Sequence, residues 1–465
     1  MKRLEDAYEG EWWIPADPSR KVGGILDLGD DFVLRFWGSL EDAEFPPLRP
    51  TVDLSVIYGR SLGNALTLLG SRSSNSRASI GSTGGSSIGV RVPLVFIGSY
   101  WLDDAAEARF TQVSAGVQNL VDWVNQSPIE YQWDNNEKRS LEYQKIRTPK
   151  AEVPGASLEL FHSIEEGRDG SAIRWEQTAD LYFELEGAEE VKEIDYRFIR
   201  PFRYLLDLAT GTPCYPGPLQ VANPDHLDDG RTSWLHACAY GRNGSEYKAS
   251  KATSSPDMMF TLQDVDFPKL VPRWYSLVER LGITCDLLFS INAPQSLFVG
   301  NKMFNVASAA EGIHQRLYPE SNKPTEEHSK RLAEIFETAP ESHRDWLKAK
   351  LAFSHQLTFA ERLGQLIDHA GPAVYPFIGD RVKWIKYVKN IRNQIAHALR
   401  ERYSFESDVA KLARLTATVE VLLRIVLLRE LGFTDEQCAE MAERNPRWSY
   451  LKSVLPNEVP EIFPH

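Results

Sequence analysis

The feature that most constrains this chain is a single change in hydrophobic period. From Met1 to about Gly187 the apolar residues come in short alternating runs broken by Pro, Gly and Asp; from Pro268 onward they recur every three to four residues. Alternation lines one face of a strand and the longer period lines one face of a helix, so the two halves require different layers. The chain therefore reads as an α+β multidomain protein, with a β-rich, sandwich-like part first and an all-α helical bundle second. The boundaries fall at 1–230 for the β-rich domain (with a helical stretch near 189–209), 231–266 for a transition, and 267–465 for the bundle.

Strand candidates are Glu9–Ile14, Gly24–Leu28, Phe32–Trp37, Val52–Tyr58, Ala65–Leu69, Val90–Ile97, Ile129–Trp133, Ser157–Phe161 and Asp180–Leu185. Gly70–Ser87 is a Ser/Gly-rich stretch with two arginines, too polar to pack, and reads as a flexible loop, a hairpin extension or a partner-sensing loop. It lacks the Lys-Ser/Thr that a phosphate-cradling loop would carry. Pro201 kinks or breaks the helical stretch around it, and the Pro/Gly-rich Gly211–Val221 opens the transition. Expected helices are Lys269–Ser290, Ser296–Tyr318, Thr325–Glu337, Glu341–Leu357, Phe359–Ala370, Gly379–Arg402, Glu406–Leu431 and Thr434–Arg444.

One of these helices carries an unusual arrangement. Along Asp380–Leu399, the residues Trp384, Val388, Ile391, Ile395 and Ala398 form the middle of an apolar arc, expected to pack on the stripe Val409, Leu412, Ala413, Thr416, Val419 and Leu423. Lys386, Lys389, Asn393, His397 and Arg400 lie opposite. Arg392 breaks the pattern, projecting about 80° from Trp384 onto the edge of the arc. Burying a guanidinium there without a partner would cost several kcal/mol, so it must find one or face another subunit. A solvated helix face whose arginine pairs with an acid accounts for this pattern; so does a site. Glu311 is within the candidates for that acid, although an ordinary surface position suits it better. Arg231 and His236 repeat the five-residue spacing, but nothing around them marks a helix.

Net charge is −13, so nucleic acid is repelled on average and any contact must use a local basic patch, such as this helix. Cys214, Cys238, Cys285 and Cys438 show no metal or disulfide spacing and read as buried thiols of a reducing, cytoplasmic compartment. His314, His343, His355 and His369 lack metal-ligand spacing too, and no metal or cofactor is expected. The N-terminus has no signal-peptide pattern. Glu420, Arg424, Arg429 and Glu430 interrupt the greasiest run, which makes it a core helix and leaves no membrane span.

Arg392-Asn393-x-x-x-His397 on a late helix of an all-helical segment resembles the HEPN ribonucleases, and more narrowly the ApeA-like HEPN proteins of bacterial anti-phage defence. Gly10-Glu-Trp-Trp-Ile-Pro15, Gly23-Gly-Ile-Leu26 and Ile57-Tyr-Gly-Arg60 with Leu66-Thr-Leu-Leu69 are similar to the ApeA N-terminal domain. The resemblance implies a metal-independent endoribonuclease, with tRNA among its possible substrates. It also implies a homodimer or higher homo-oligomer and a phage-encoded trigger that releases the activity. Arg392, Asn393 and His397 would be catalytic and Lys386, Lys389 and Arg400 would hold RNA phosphates. On one helix Arg392 and His397 point about 140° apart, so two copies would have to build the site. The competing reading is a non-catalytic sensor, in which the β-rich half binds a ligand through its tryptophans and the bundle only oligomerises.

Overall fold

The computed structural model describes residues 5–29, 32–40, 54–78, 86–103, 108–133, 139–144, 146–170, 172–239, 252–291, 298–396 and 405–463. The chain divides into two compact units. The first is Met1–Leu206 with Cys214–Ser255 and Thr261–Pro272; the second is Asp207–Pro213 with Pro256–Phe260 and Arg273–His465.

The first unit is built on one antiparallel sheet of fourteen strands. Its middle runs Leu235–Ala239, Leu94–Gly98, Asn64–Leu69, Val56–Ser61, Ala7–Trp13, Val22–Asp27, Val33–Trp37 and Ser86–Arg91, each hydrogen-bonded to the next. Inward residues of these strands, among them Trp12, Leu26, Leu34, Ile57, Leu68, Val90, Val95 and Cys238, share one core. Tyr8 and Cys238, four strands apart in sheet order, belong to the same core, so the sheet curls over it rather than lying flat. Two small antiparallel ribbons, Ile129–Trp133 with Arg139–Tyr143 and Leu227–Asp228 with Arg231–Thr232, stand apart from it.

Residues from separate N-terminal motifs meet here. Trp12 pairs with Gly59 across neighbouring strands and Trp13 with Tyr58. A Cβ on Gly59 would lie 2.3 Å from the Trp12 ring, so only glycine lets the indole lie flat on that strand. Trp13 in turn meets Trp101 edge-on at 5.5 Å, and the Arg60 guanidinium sits 4.9 Å over the Trp101 ring.

Of the readings given for Gly70–Ser87, the structure has the hairpin extension: Arg72–Ala78 and Ser86–Arg91 pair at the edge of the sheet, since a ladder of backbone bonds does not require apolar side chains. Other elements differ from the sequence expectation for identifiable reasons. Pro93 separates two strands where one run was expected. Pro216–Ala222 is an inner strand despite two prolines, with a register shift between Pro216 and Leu219 absorbing them. Pro201 does not break its helix: residues 191–210 continue through a π-turn at Asp195–Ile199, where Arg200 N–H reaches Asp195 C=O. Arg231 and His236 lie on strands, with His236 beside Gln220 at 3.2 Å.

The second unit is organised around the helix Phe405–Leu431, buried without interruption from Thr418 to Leu428. It packs chiefly on Val299–Leu317, Phe359–Ala370 and Pro446–Glu458. Within it Glu420 and Arg424 pair at 2.8 Å, and Arg424 also donates to the Asp207 carbonyl at 2.6 Å, which satisfies two buried charges. The expected helix Lys269–Ser290 is two, Phe267–Leu281 and Ile283–Ser290, because Gly282 takes a φ of +53° between them. Pro446–Glu458 was not expected. Its proline sits at the first helical position, where no N–H is needed, and Asn445 caps it by accepting from Arg447 and Trp448 N–H. All four cysteines are buried and unbridged, with burial pushing the Cys285 thiol up to about 12. Among the described residues no helix is long and apolar enough to cross a membrane.

Replacing Gly59 by Ala drives a methyl into the Trp12 ring and should cost the first unit about 1–3 kcal/mol, the usual penalty for overpacking. Near-UV circular dichroism during urea unfolding reads this; an unchanged midpoint and tryptophan signal would show that the ring yields freely.

Candidate functional site

The helix Arg381–Ala396 is held by its first turn. Asp380 Oδ1 accepts from the Val382 and Lys383 amides at 3.1 Å, an N-cap that offsets two orphan donors. Arg381 forks onto Asp368 at 2.6 and 2.8 Å and reaches the Gly364 carbonyl at 2.9 Å, tying this turn to Phe359–Ala370. That guanidinium holds the Asp368 carboxyl below the usual carboxylate range. Trp384 is fully buried and donates from Nε1 to Thr418 Oγ1 at 2.9 Å; Val388, one turn on, is buried as well. Together they fix the rotation of the helix.

That rotation sets Arg392 at the rim. Its Nη2 donates to Glu311 Oε2 at 2.7 Å and its Nη1 to Asn393 Oδ1 at 3.2 Å. The guanidinium plane lies 5.6 Å from the centre of the Phe359 ring, a cation–π contact. Arg392 and Glu311 keep side-chain exposures of 26% and 28%, so the pair is positioned by the fold yet open to solvent on one side. Five N–H donors point from a guanidinium in a fixed fork; these two bonds use two of them, and about three are left for an incoming oxyanion.

A second layer supports the first. His314 follows Glu311 on the same helix and is fully buried. Its Nδ1 accepts from Arg362 Nη1 at 3.1 Å and its Nε2–H donates to Gln365 Oε1 at 2.7 Å, an arrangement that requires the neutral ring. Burial, and with it the Arg362 charge, holds the His314 pKa below its ordinary value against the opposing pull of the Gln365 bond. Beyond Gln365 opens a groove of about 550 Å³ lined by Leu317, Tyr318, Pro319, Ser321 and His369.

The structure thus brings Arg392 and Asn393 together, and it corrects the expectation for Glu311, which is the partner of Arg392 and not an ordinary surface acid. The motif helix also packs differently from expectation. Its main neighbours are Val299–Leu317 and Phe359–Ala370, while Phe405–Leu431 meets it through Thr418, a residue outside the expected stripe. Val409, assigned to that stripe, is 47% exposed. Lys386 is exposed and Lys389 half-buried on the polar side. Among the described residues neither has an acidic partner, whereas Arg381 and Lys383 do. His397 and Arg400 lie outside the described residues. Phe359, Arg362 and Gln365 were not anticipated. The only local signal was the capping box Thr358-x-x-Glu361 that begins their helix. No group of three His, Cys, Asp or Glu side chains among the described residues is placed to hold a metal ion.

An antiparallel-sheet unit followed by a helical bundle, with a rim arginine presented on a late bundle helix, defines a two-part α+β protein. Two family models match, ApeA N-terminal domain 1 over residues 7–274 and Apea-like HEPN over residues 304–437. The first spans more than half of the chain, and the chain belongs to the ApeA-like family. No curated protein and no solved structure matches it.

Because His314 is held neutral in the fold, the unfolded chain takes up a proton below about pH 6.5 that the folded chain refuses. Its contribution to stability is complete above that value and is lost as pH falls beneath it. Denaturation midpoints should therefore fall between about pH 7.5 and 5.5, and His314→Asn, which keeps an acceptor for Arg362 but does not titrate, should flatten that slope. An equal slope in both proteins would show that His314 is not the group responsible.

Proposed function

We propose that this protein is a metal-independent endoribonuclease of anti-phage defence, working in the cytoplasm through a composite site built by two copies of the Arg381–Ala396 helix and the residues that follow it. Arg392, Asn393 and His397 carry the chemistry in this reading. The single observation that supports it best is Arg392 itself, pre-oriented by Glu311, Asn393 and Phe359 yet left with donors facing solvent.

The reaction that suits these groups is internal transesterification. The ribose 2′-oxygen attacks the adjacent phosphorus, the bond from phosphorus to the 5′-oxygen breaks, and the products are a cyclic phosphate and a 5′-hydroxyl. One His397 imidazole accepts the 2′-hydroxyl proton and a protonated one supplies a proton to the leaving 5′-oxygen; such proton transfers are typically worth 10²–10⁴-fold. Arg392 meets the charge that builds on the phosphate oxygens. Two copies are invoked because helical spacing would set positions 392 and 397 about 140° apart, and a two-fold axis supplies both kinds of group to one phosphate. The apolar stripe agrees with such a contact: Trp384 and Val388 are buried, while Ile391 and Ile395, flanking Arg392, are only half covered. Lys386 and Lys389, with no acid to neutralise them among the described residues, position neighbouring phosphates together with Arg400. tRNA is a substrate of the right kind, and a phage-encoded component releases the activity.

The competing reading, binding without catalysis, rests on the ribbon in the first unit. Tyr131, Trp133, Leu141 and Tyr143 are each about half exposed or more there, with Tyr131 opposite Leu141. Such a face suits recognition, and it serves a regulated nuclease as well as a pure sensor.

Purified protein incubated with tRNA and total RNA in EDTA, with extract of phage-infected cells to supply the trigger, should cut, and both His397→Ala and Arg392→Ala should lower the rate by about 10²–10⁴-fold with unchanged circular dichroism. Arg392→Lys should fail nearly as badly, since an ammonium lacks the fork that meets Glu311, Asn393 and phosphate together. Cleavage surviving in His397→Ala, or requiring added metal, would sink the assignment. Indifference of induced toxicity to Arg392→Ala would favour the sensor.

A further inference from the structure

Between the helix that carries Glu311 and the one that begins with Phe359, the chain forms a helical hairpin, Glu326–Thr338 and Glu341–Leu351, in which no residue is buried. Helices of 13 and 11 residues are at the margin of stability in water on their own. Leu332, Phe336, Leu347 and Leu351 are only partly covered, while Trp346 and Phe353 stand 61% and 72% exposed. Helical geometry places Trp346 beside Ala349 and Lys350 on the outward side of the second helix, with Phe353 following in the turn after it. Two exposed aromatic rings on a hairpin with no core of its own mark a face that needs cover.

Charge says what covers it. The first helix carries Glu326, Glu327, Glu334 and Glu337 against Lys330 and Arg331; the second carries Arg344, Lys348 and Lys350 against Glu341 and Asp345. Lys330 and Arg331 are spent on Glu326 and Glu327 one turn away. Arg344 is spent on the Ala339 and Glu337 carbonyls. Glu334 and Glu337 on the first helix, and Glu341 and Lys350 on the second, are left without a counter-charge among the described residues. The hairpin has no excess of cations to hold a nucleic acid. It has instead an acidic helix and a basic helix, and under a two-fold axis each lies opposite its complement.

We propose that this hairpin is an arm through which two copies of the chain associate, the acidic helix of one copy lying along the basic helix of the other with Trp346 and Phe353 of both covered between them. A buried aromatic side chain contributes about 150–250 Å², and with roughly two-thirds of each ring still exposed the four rings supply about a third to a half of the roughly 1,200 Å² at which stable interfaces begin. The arm does not depend on the nuclease reading and is tested apart from it.

The test uses full-length protein carrying Arg392→Ala, so that RNA cleavage plays no part. One preparation also carries Glu334→Cys and the other Lys350→Cys; the four native thiols are buried and stay silent. A short bis-maleimide should link the mixed preparations into dimers, and adding Trp346→Glu to both should cut the yield at least about tenfold with helicity unchanged. High salt should weaken the linkage further. A mixture that links no better than background, or linkage indifferent to Trp346→Glu, would overturn the arm.

Discussion

The helical unit depends on how one helix buries two charges. Phe405–Leu431 has no solvent face between Thr418 and Leu428, and within that stretch sit Glu420 and Arg424. A buried pair of this kind adds little net stability but is costly to break, so it holds the helix to one rotation and one depth. Arg424 gains the Asp207 carbonyl as a further acceptor and lies 5.2 Å from the centre of the Phe289 ring. Everything that frames Arg392 leans on this helix. Val299–Leu317 brings Glu311, Phe359–Ala370 brings Phe359, and Thr418 receives the Trp384 indole.

The state of Arg392 follows from that frame. A surface guanidinium on a flexible stem would sample many rotamers and lose entropy on meeting a phosphate. Here an acid, an amide and an aromatic face remove most of that freedom beforehand, while a quarter of the side chain stays open. Glu311 has a second consequence. Its charge opposes that of Arg392 at close range. On the proposed reading a phosphate shares the guanidinium with a carboxylate, which discriminates against casual contact with nucleic acid, in keeping with a chain of net charge −13.

In the first unit the constraint is steric rather than electrostatic. Trp12 lies on a strand next to Gly59, and Tyr58 and Trp101 close around Trp13. Of the tryptophans, Trp12, Trp13 and Trp123 are core, while Trp37 and Trp133 reach solvent. Aromatic content alone therefore overstated the recognition surface. It is the isolated ribbon at Ile129–Trp133, which buries none of its large side chains, that stands out as a contact face.

Much of this was legible because it is local. The order of strands before helices, the near-correct bounds of Glu326–Thr338, Phe359–Ala370 and Asp435–Arg444, and the odd placement of Arg392 on its helix all follow from residues a few positions apart. Local signals misled where the Pro/Gly-rich Gly211–Val221 was read as a transition, since Pro216 opens an inner strand, and they gave no sign of the helix that Pro446 begins, at a first position that needs no amide proton. The partner of Arg392 could be named as a candidate but not chosen. Glu311 stands 81 residues away, and its neighbourhood looks like any helix surface until three helices converge. Periodicity and capping are written by neighbours along the chain, so sequence determined the elements. Which face of each element meets which other depends on the packing of the whole bundle, and only the tertiary structure decided that.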